Sequence, residues 1–291
     1  MRRPAAPKAH STAARRAEGS PVSTVRTSGA APANSPLLEV SSLQMRFQGI
    51  TALKDVSFTM ERGAITSLIG PNGAGKTTLF NCVTGMYTPT GGKVMFDGED
   101  ITAQAAYKVS RHGIARTFQN LALFGGLTVL ENLLVGAYQQ GSSGLLQGVF
   151  MTPRVRAEQK AAVASAHEVL AFLGMDDTAN LLPSELPYGR QKEVEFARAL
   201  MQKARLVLLD EPMAGMSASE KSAMTALIQR VRGELGVTFL LVEHDIPTIM
   251  EISDKIVVLD FGSKIAEGTA QEVQSNEAVI AAYLGTDSAA H

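Results

Sequence analysis

The chain has 291 residues, 45% of them hydrophobic, enough for one large domain or a domain with a subdomain. Its 27 basic and 28 acidic residues leave a formal charge of −1, so nothing suggests a global nucleic-acid footprint. No apolar run approaches the roughly 18 residues that span a bilayer, so any membrane role must be borrowed from partners.

Residues 1–36 differ in composition from the rest. They are rich in Ala, Ser and Pro, with Arg2, Arg3, Lys8, Arg15, Arg16 and Arg26 against one acid, Glu18. The apolar centre of a secretory signal is lacking, and five prolines argue against the amphipathic helix of a transit peptide. The expectation is a disordered, weakly basic tail. From Leu37 strand-like alternation begins: Leu38-Glu39-Val40, Ser42 to Phe47 and Leu53 to Met60 read as half-buried strands. Ala64 to Ile69 reads as a buried strand, and Thr77 to Thr84 as a helix that stops at Gly85.

Between that strand and helix lies Gly70-Pro71-Asn72-Gly73-Ala74-Gly75-Lys76-Thr77-Thr78. The spacing fits a phosphate loop in the strand–loop–helix setting that such a loop requires. Its glycines let backbone N–H groups form an anion nest. Lys76 brings a compact positive charge to the β- and γ-phosphates, the Thr77 hydroxyl can ligate Mg²⁺, and the following helix adds its dipole. Cys82, the single cysteine, falls in that helix and reads as a small buried hydrophobe rather than a nucleophile.

Gly91 to Gly98 reads as a further short strand between turns. Gln119, in Ala115-Arg116-Thr117-Phe118-Gln119-Asn120, follows another strand, where its amide could reach a metal and an attacking water. A helical stretch runs from about Leu127 to Gly174, with a glycine-rich loop at Gly141 to Gly144 and a helix from about Val155 to Leu173. Leu206-Val207-Leu208-Leu209-Asp210 is a continuous apolar run typical of a strand covered on both faces, and Val237 to Val242 and Lys255 to Leu259 repeat the type. Asp210 at the strand end would hold Mg²⁺ directly or through water, and Glu211 could orient or deprotonate that water. His244 follows the next strand. Asp245 before Pro247 suits a helix start, so His244 could simply cap a surface helix. Yet parallel strand ends converge on one ligand crevice, which puts His244 near the γ-phosphate. Ser217 and Glu220 fit a helix capping box.

The fold expected is α/β: a P-loop NTPase core with a mainly parallel sheet, an antiparallel β subdomain on the N-terminal side, and an inserted helical subdomain at about 127–204. No Asn-Lys-x-Asp element for reading guanine is present.

These pieces, in this order, resemble the ATP-binding subunit of an ABC transporter over 37–285, leaving 286–291 as a tail. The resemblance implies ATP and Mg²⁺ as ligands, with Thr77, Gln119 and Asp210 toward the metal. It also implies Gln119 as the Q-loop glutamine, Glu211 as general base and His244 as the switch histidine. Phe47 resembles the aromatic that stacks on adenine; a strand Phe facing the core is the alternative. The family's signature loop corresponds to Leu186-Pro187-Tyr188-Gly189-Arg190-Gln191, ahead of a helix from Lys192 to Met201. Pro187, Tyr188 and Arg190 depart from the usual Leu-Ser-Gly-Gly-Gln, and each signature loop in the family acts on its partner's nucleotide. Gly113 to Asn120, Leu127 to Asn132, the Pro-Tyr-Gly variant and the ending Ala282-Tyr283-Leu284-Gly285 are similar to LivG-type subunits of branched-chain amino-acid importers.

What this implies is an ATPase peripheral to the cytoplasmic face of the inner membrane. It would pair with a second, LivF-like ATPase or with itself, on two permease subunits fed by a binding protein, with no nucleic acid. Closure would reach the membrane subunits through the Gln119 loop and an apolar helical surface near Leu121, Leu123 and Phe124; the same residues fit an ordinary core. The rival readings are an ABC ATPase of another system (urea import, lipid export or a soluble protein) and a regulatory nucleotide-binding module with little turnover.

Overall fold

The computed structural model describes residues 35–117, 122–138 and 153–287. The expected basic tail lies almost wholly outside them, as do Gln119, Leu121 and the Gly141 to Gly144 loop.

Two sheets form the frame. The first holds β1 (Leu38–Phe47), β2 (Ile50–Met60), β4 (Gly91–Phe96) and β5 (Glu99–Asp100), antiparallel in the order β2-β1-β4-β5. The second holds β3 (Ile65–Ile69), β6 (Ile114–Arg116), β7 (Leu206–Asp210), β8 (Thr238–Val242), β9 (Lys255–Asp260) and β10 (Ser263–Gly268), in the order β10-β9-β3-β8-β7-β6. Every neighbouring pair in it is parallel except β10 with β9. The expected α/β class, mainly parallel with an antiparallel layer, is what the chain adopts.

The period-2 pattern of the parallel strands separates two cores. Leu206, Leu208, Leu240 and Val242 face a cluster shared with the antiparallel sheet and with α1 (Lys76–Val83), through Val40, Phe58, Leu79 and Phe80. Val207, Leu209, Phe239 and Leu241 face the other way, onto α3 (Val129–Tyr138), α4 (Pro153–Leu173) and α5 (Tyr188–Leu200), through Leu133, Leu170 and Phe196. Burial on both faces is why these strands are apolar at every position. Each such side chain contributes on the order of 1.5–3 kcal/mol. Cys82 is buried in the first cluster, and burial pushes its thiol up to about 11, as expected of an inert packing residue.

Two local expectations are corrected. The segments 38–40 and 42–47 are one strand, not two. Inward residues run Leu38 and Val40, then Leu43 and Met45, so the parity breaks between them. Ser42, at φ 49°, absorbs the extra residue as a bulge, and its amide donates to Ser57 Oγ at 2.7 Å. The helix expected from Lys192 instead begins at Tyr188, because Pro187 caps it and accepts the first helical bond, Gln191 N–H to its carbonyl at 3.1 Å. Tyr188 to Gln191 therefore form a first turn rather than a loop. The remaining helices are α2 (Ala106–Arg111), α6 (Ala218–Leu235), α7 (Ile246–Ile252), α8 (Ala270–Gln274) and α9 (Glu277–Asp287). Among the described residues no helix is long and apolar enough to cross a membrane.

Candidate nucleotide site

Parallel register brings the ends of β3, β8, β7 and β6 to one sheet edge: Leu68 and Asp210 both sit opposite Val242, and Arg116 opposite Leu208. Every residue that follows these strands is thus delivered to one crevice.

β3 runs directly into Gly70 to Gly75. Gly70, Gly73 and Gly75 all take positive φ, at 147°, 81° and 104°. At Gly70 a Cβ would lie 2.0 Å from the Leu259 carbonyl oxygen, whereas at Gly73 it would meet nothing within 4 Å. The first glycine is needed for close approach of backbones, the second for backbone conformation over open space. Lys76 opens α1 and is buried; its Nζ donates to the carbonyls of Gly70 at 2.6 Å and Pro71 at 3.0 Å. Burial pulls its pKa down, and the charges of Glu211 and Asp210 oppose that shift. A loop with three glycines at positive φ around a buried lysine fits a polyphosphate. Thr77, exposed beside it, and the Asp210 carboxylate are hard oxygen donors that fit Mg²⁺, which characteristically takes few protein ligands.

Asp210 ends β7 and is buried. Its Oδ2 accepts from Arg116 Nη2 at 2.7 Å. Glu211 adopts φ 49°, costly for a residue with a Cβ, while its amide donates to the Val242 carbonyl at 2.8 Å. His244 Nε2 lies 2.9 Å from Glu211 Oε1, a pair 33 residues apart in sequence. Asp245 caps α7 by accepting the Thr248 amide, so the expected helix start is present and His244 precedes it rather than capping it.

Three contacts escaped the sequence reading. Glu243 is buried; its Oε1 accepts the Met213 amide at 2.7 Å and its Oε2 the His244 amide at 3.1 Å. Burial pushes this carboxyl above the usual glutamate range; the two amides pull it back, and the Glu211 charge adds to the rise. Arg116 is the second, a charge at the end of a strand otherwise buried. Tyr283 on α9 is the third: its hydroxyl oxygen accepts the Gly70 amide, while burial raises its pKa. An acid in an apolar strand end was the available signal for Glu243; nothing local flagged the other two.

Phe47 is partly exposed at the end of β1 and meets Tyr87 edge-on, with centroids 5.3 Å apart, so it is not a core residue. Its hairpin packs on the phosphate loop, since a Cβ on Gly75 would come within 2.7 Å of the Ala52 carbonyl oxygen. In the signature turn, Leu186 is buried and its carbonyl accepts from Gln191 Nε2 at 2.9 Å. Arg190 pairs with Glu193, and the Gly189 amide donates to Glu220 Oε1 at 3.2 Å. Glu220 also completes the expected capping box with Ser217 at the start of α6.

Leu123 and Phe124 lie in an irregular segment before α3, correcting the expected helical surface. Leu123 packs on the core while Phe124 is exposed. A cleft of about 580 Å³ lies here, lined by Met86, Tyr107, Arg116, Phe124, Val135 and Arg198 among others and by no residue of the phosphate loop.

A phosphate loop, an acid pair and a histidine on adjoining parallel strand ends define a phosphate-loop nucleotide-binding protein. The family profile described as ABC transporter matches residues 53–214, and that described as branched-chain amino acid ATP-binding cassette transporter matches 263–289. The chain belongs to the ATP-binding subunits of ABC transporters. It is 44% identical to the high-affinity branched-chain amino acid transport ATP-binding protein BraF of Pseudomonas aeruginosa, over 86% of this chain and 98% of that one. It is 42% identical to LivG, the Escherichia coli protein of the same description, with the same coverage. Among solved structures, an ATP-binding cassette of an ABC transporter in its ADP conformation superposes with a TM-score of 0.76 at 32% identity, covering 87% of this chain and all of that one. A nucleotide-free cassette gives 0.75 at 32% identity, covering 86% and 99%.

Proposed function

We propose that this chain is the ATP-hydrolysing subunit that powers import of branched-chain or related amino acids. The observation that carries the reading is the Glu211–His244 contact at the mouth of the phosphate loop, beside Lys76. The names of relatives matched over most of their length support the cargo class.

In this reading the Gly70 to Thr78 loop, with Pro71, Asn72 and Ala74 completing its path, holds the phosphates of ATP. Phe47 stacks on the base. Thr77, Asp210 and Gln119 would hold Mg²⁺, which neutralises phosphate charge when bound. Glu211 orients the attacking water and takes its proton as the bond to the leaving ADP oxygen breaks. His244 holds Glu211 by hydrogen bond and faces the γ-phosphate. Such catalysis works by positioning and charge, with little covalent chemistry from the protein. The turn from Leu186 to Gln191 serves the nucleotide of a second ATPase, LivF-like or a second copy. Two permease subunits dock over the cleft beside Phe124, placing the chain on the cytoplasmic face of the inner membrane, with a binding protein supplying solute.

The test is ATP hydrolysis and labelled-leucine uptake by the reconstituted transporter. Glu211→Gln should abolish both while ATP binding persists; equal rates for variant and wild type would sink the hydrolytic assignment. Leucine uptake unaffected by deleting the gene would sink the cargo. A low-turnover regulatory role has one observation behind it, the Glu220 carboxylate on the Gly189 amide, and the wild-type turnover measured in the same assay decides it.

A further inference from the structure

Arg116 is nearly buried, and both terminal nitrogens of its guanidinium are engaged. Nη2 donates to Asp210 Oδ2 at 2.7 Å and Nη1 to Asn81 Oδ1 at 2.6 Å, while the Cζ lies 5.6 Å from the centre of the Phe80 ring. Phe80 and Asn81 belong to α1, Asp210 ends β7, and Arg116 ends β6, so one side chain joins three elements. Asn81 stands four residues after Thr77 on α1, so the two lie on the same helix face one turn apart. The bridge from Asp210 therefore lands on the face that carries the Thr77 hydroxyl. Arg suits this better than Lys, because its planar fork makes two directed bonds at a set angle.

We infer that Arg116 is a positioning residue for the cation site: by tying Asp210 to Asn81 it sets the spacing between the Asp210 carboxylate and Thr77. The inference rests on the ATPase reading above, which makes those two groups the protein's contribution to Mg²⁺. Engaging Oδ2 stops rotation of the carboxylate and leaves Oδ1 as the oxygen for the cation or its water. Partners that orient a metal ligand in this way are commonly worth about 10–100-fold in metal affinity.

The experiment is fluorescence titration of the full chain with methylanthraniloyl-ATP, at increasing Mg²⁺ and in EDTA, for wild type, Arg116→Lys and Asn81→Ala. Both variants should raise the Mg²⁺ concentration for half-maximal enhancement of nucleotide binding, by about 10-fold for Arg116→Lys. Binding in EDTA should stay at the wild-type value, since the phosphate loop is untouched. Unchanged Mg²⁺ requirement in both variants would overturn the inference. So would equal losses with and without Mg²⁺, which is what a purely structural role produces, or a lowered requirement, which would make Arg116 a competitor of the cation. Wild-type protein that binds the nucleotide with no response to Mg²⁺ would also overturn the inference, by removing the cation site on which Arg116 acts, whereas absence of ATP hydrolysis by the wild-type transporter is what would refute the ATPase reading.

Discussion

Glu243→Gln isolates a carboxylate that holds two loops in place. In the native chain its two oxygens accept the amides of Met213, two residues after Glu211, and of His244. Glutamine keeps the shape but has one acceptor oxygen, so one buried amide faces an NH₂ group. Leaving such a donor unsatisfied costs about 1–3 kcal/mol. Against this, glutamine avoids the burial of charge that raises the native pKa. The sign follows from proton linkage: the folded carboxyl binds its proton more tightly than the unfolded one, whose value is near 4.5. Native stability therefore falls as pH rises from that value through the raised folded one. The deficit of the variant is largest in acid and shrinks toward alkaline pH. In a domain of this size, each kcal/mol moves the melting temperature by about 2–4 °C, so the expected drop is about 2–12 °C. Thermal melts of both proteins across that pH range test this, with ATP hydrolysis at a temperature where both are folded. Equal melting at every pH, or a deficit that grows with pH, would refute the reasoning.

Gly70→Ala should destabilise by at least about 2 kcal/mol, since neither the new methyl nor the Leu259 carbonyl can yield, whereas Gly73→Ala loses only about 1 kcal/mol to backbone strain. Urea midpoints that fall equally would contradict the close approach at Gly70. Glu220→Ala should speed hydrogen exchange at the Gly189 amide, with an unchanged rate showing that the contact does not hold the signature turn. Phe47→Ala should weaken methylanthraniloyl-ATP binding by about 5–10-fold, as loss of one aromatic stack does, with little change in melting temperature. A lower melting temperature at unchanged affinity would return Phe47 to the core.

The chemistry of the phosphate loop was readable because it is local: glycines, Lys76 and Thr77 are contiguous, and their strand and helix flank them. Asp210 and Glu211 were legible for a related reason, as acids ending a strand whose apolar continuity announces burial on both faces. His244 depended on one more step, that parallel strands end at one edge. The bulge at Ser42 and the start of the signature helix at Tyr188 rather than Lys192 escaped the sequence reading because each turns on a single backbone feature: a left-handed φ and a proline at the N-cap. The bridge from Asn81 through Arg116 to Asp210 joins residues 35 and 94 positions apart, and Glu243 reaches Met213 across 30. Such pairs exist only once β6, β7 and β8 lie side by side in their observed register. Residue type and spacing along the chain therefore pointed to the polar groups that gather at the phosphate loop, while strand order and register decided which groups hold them still.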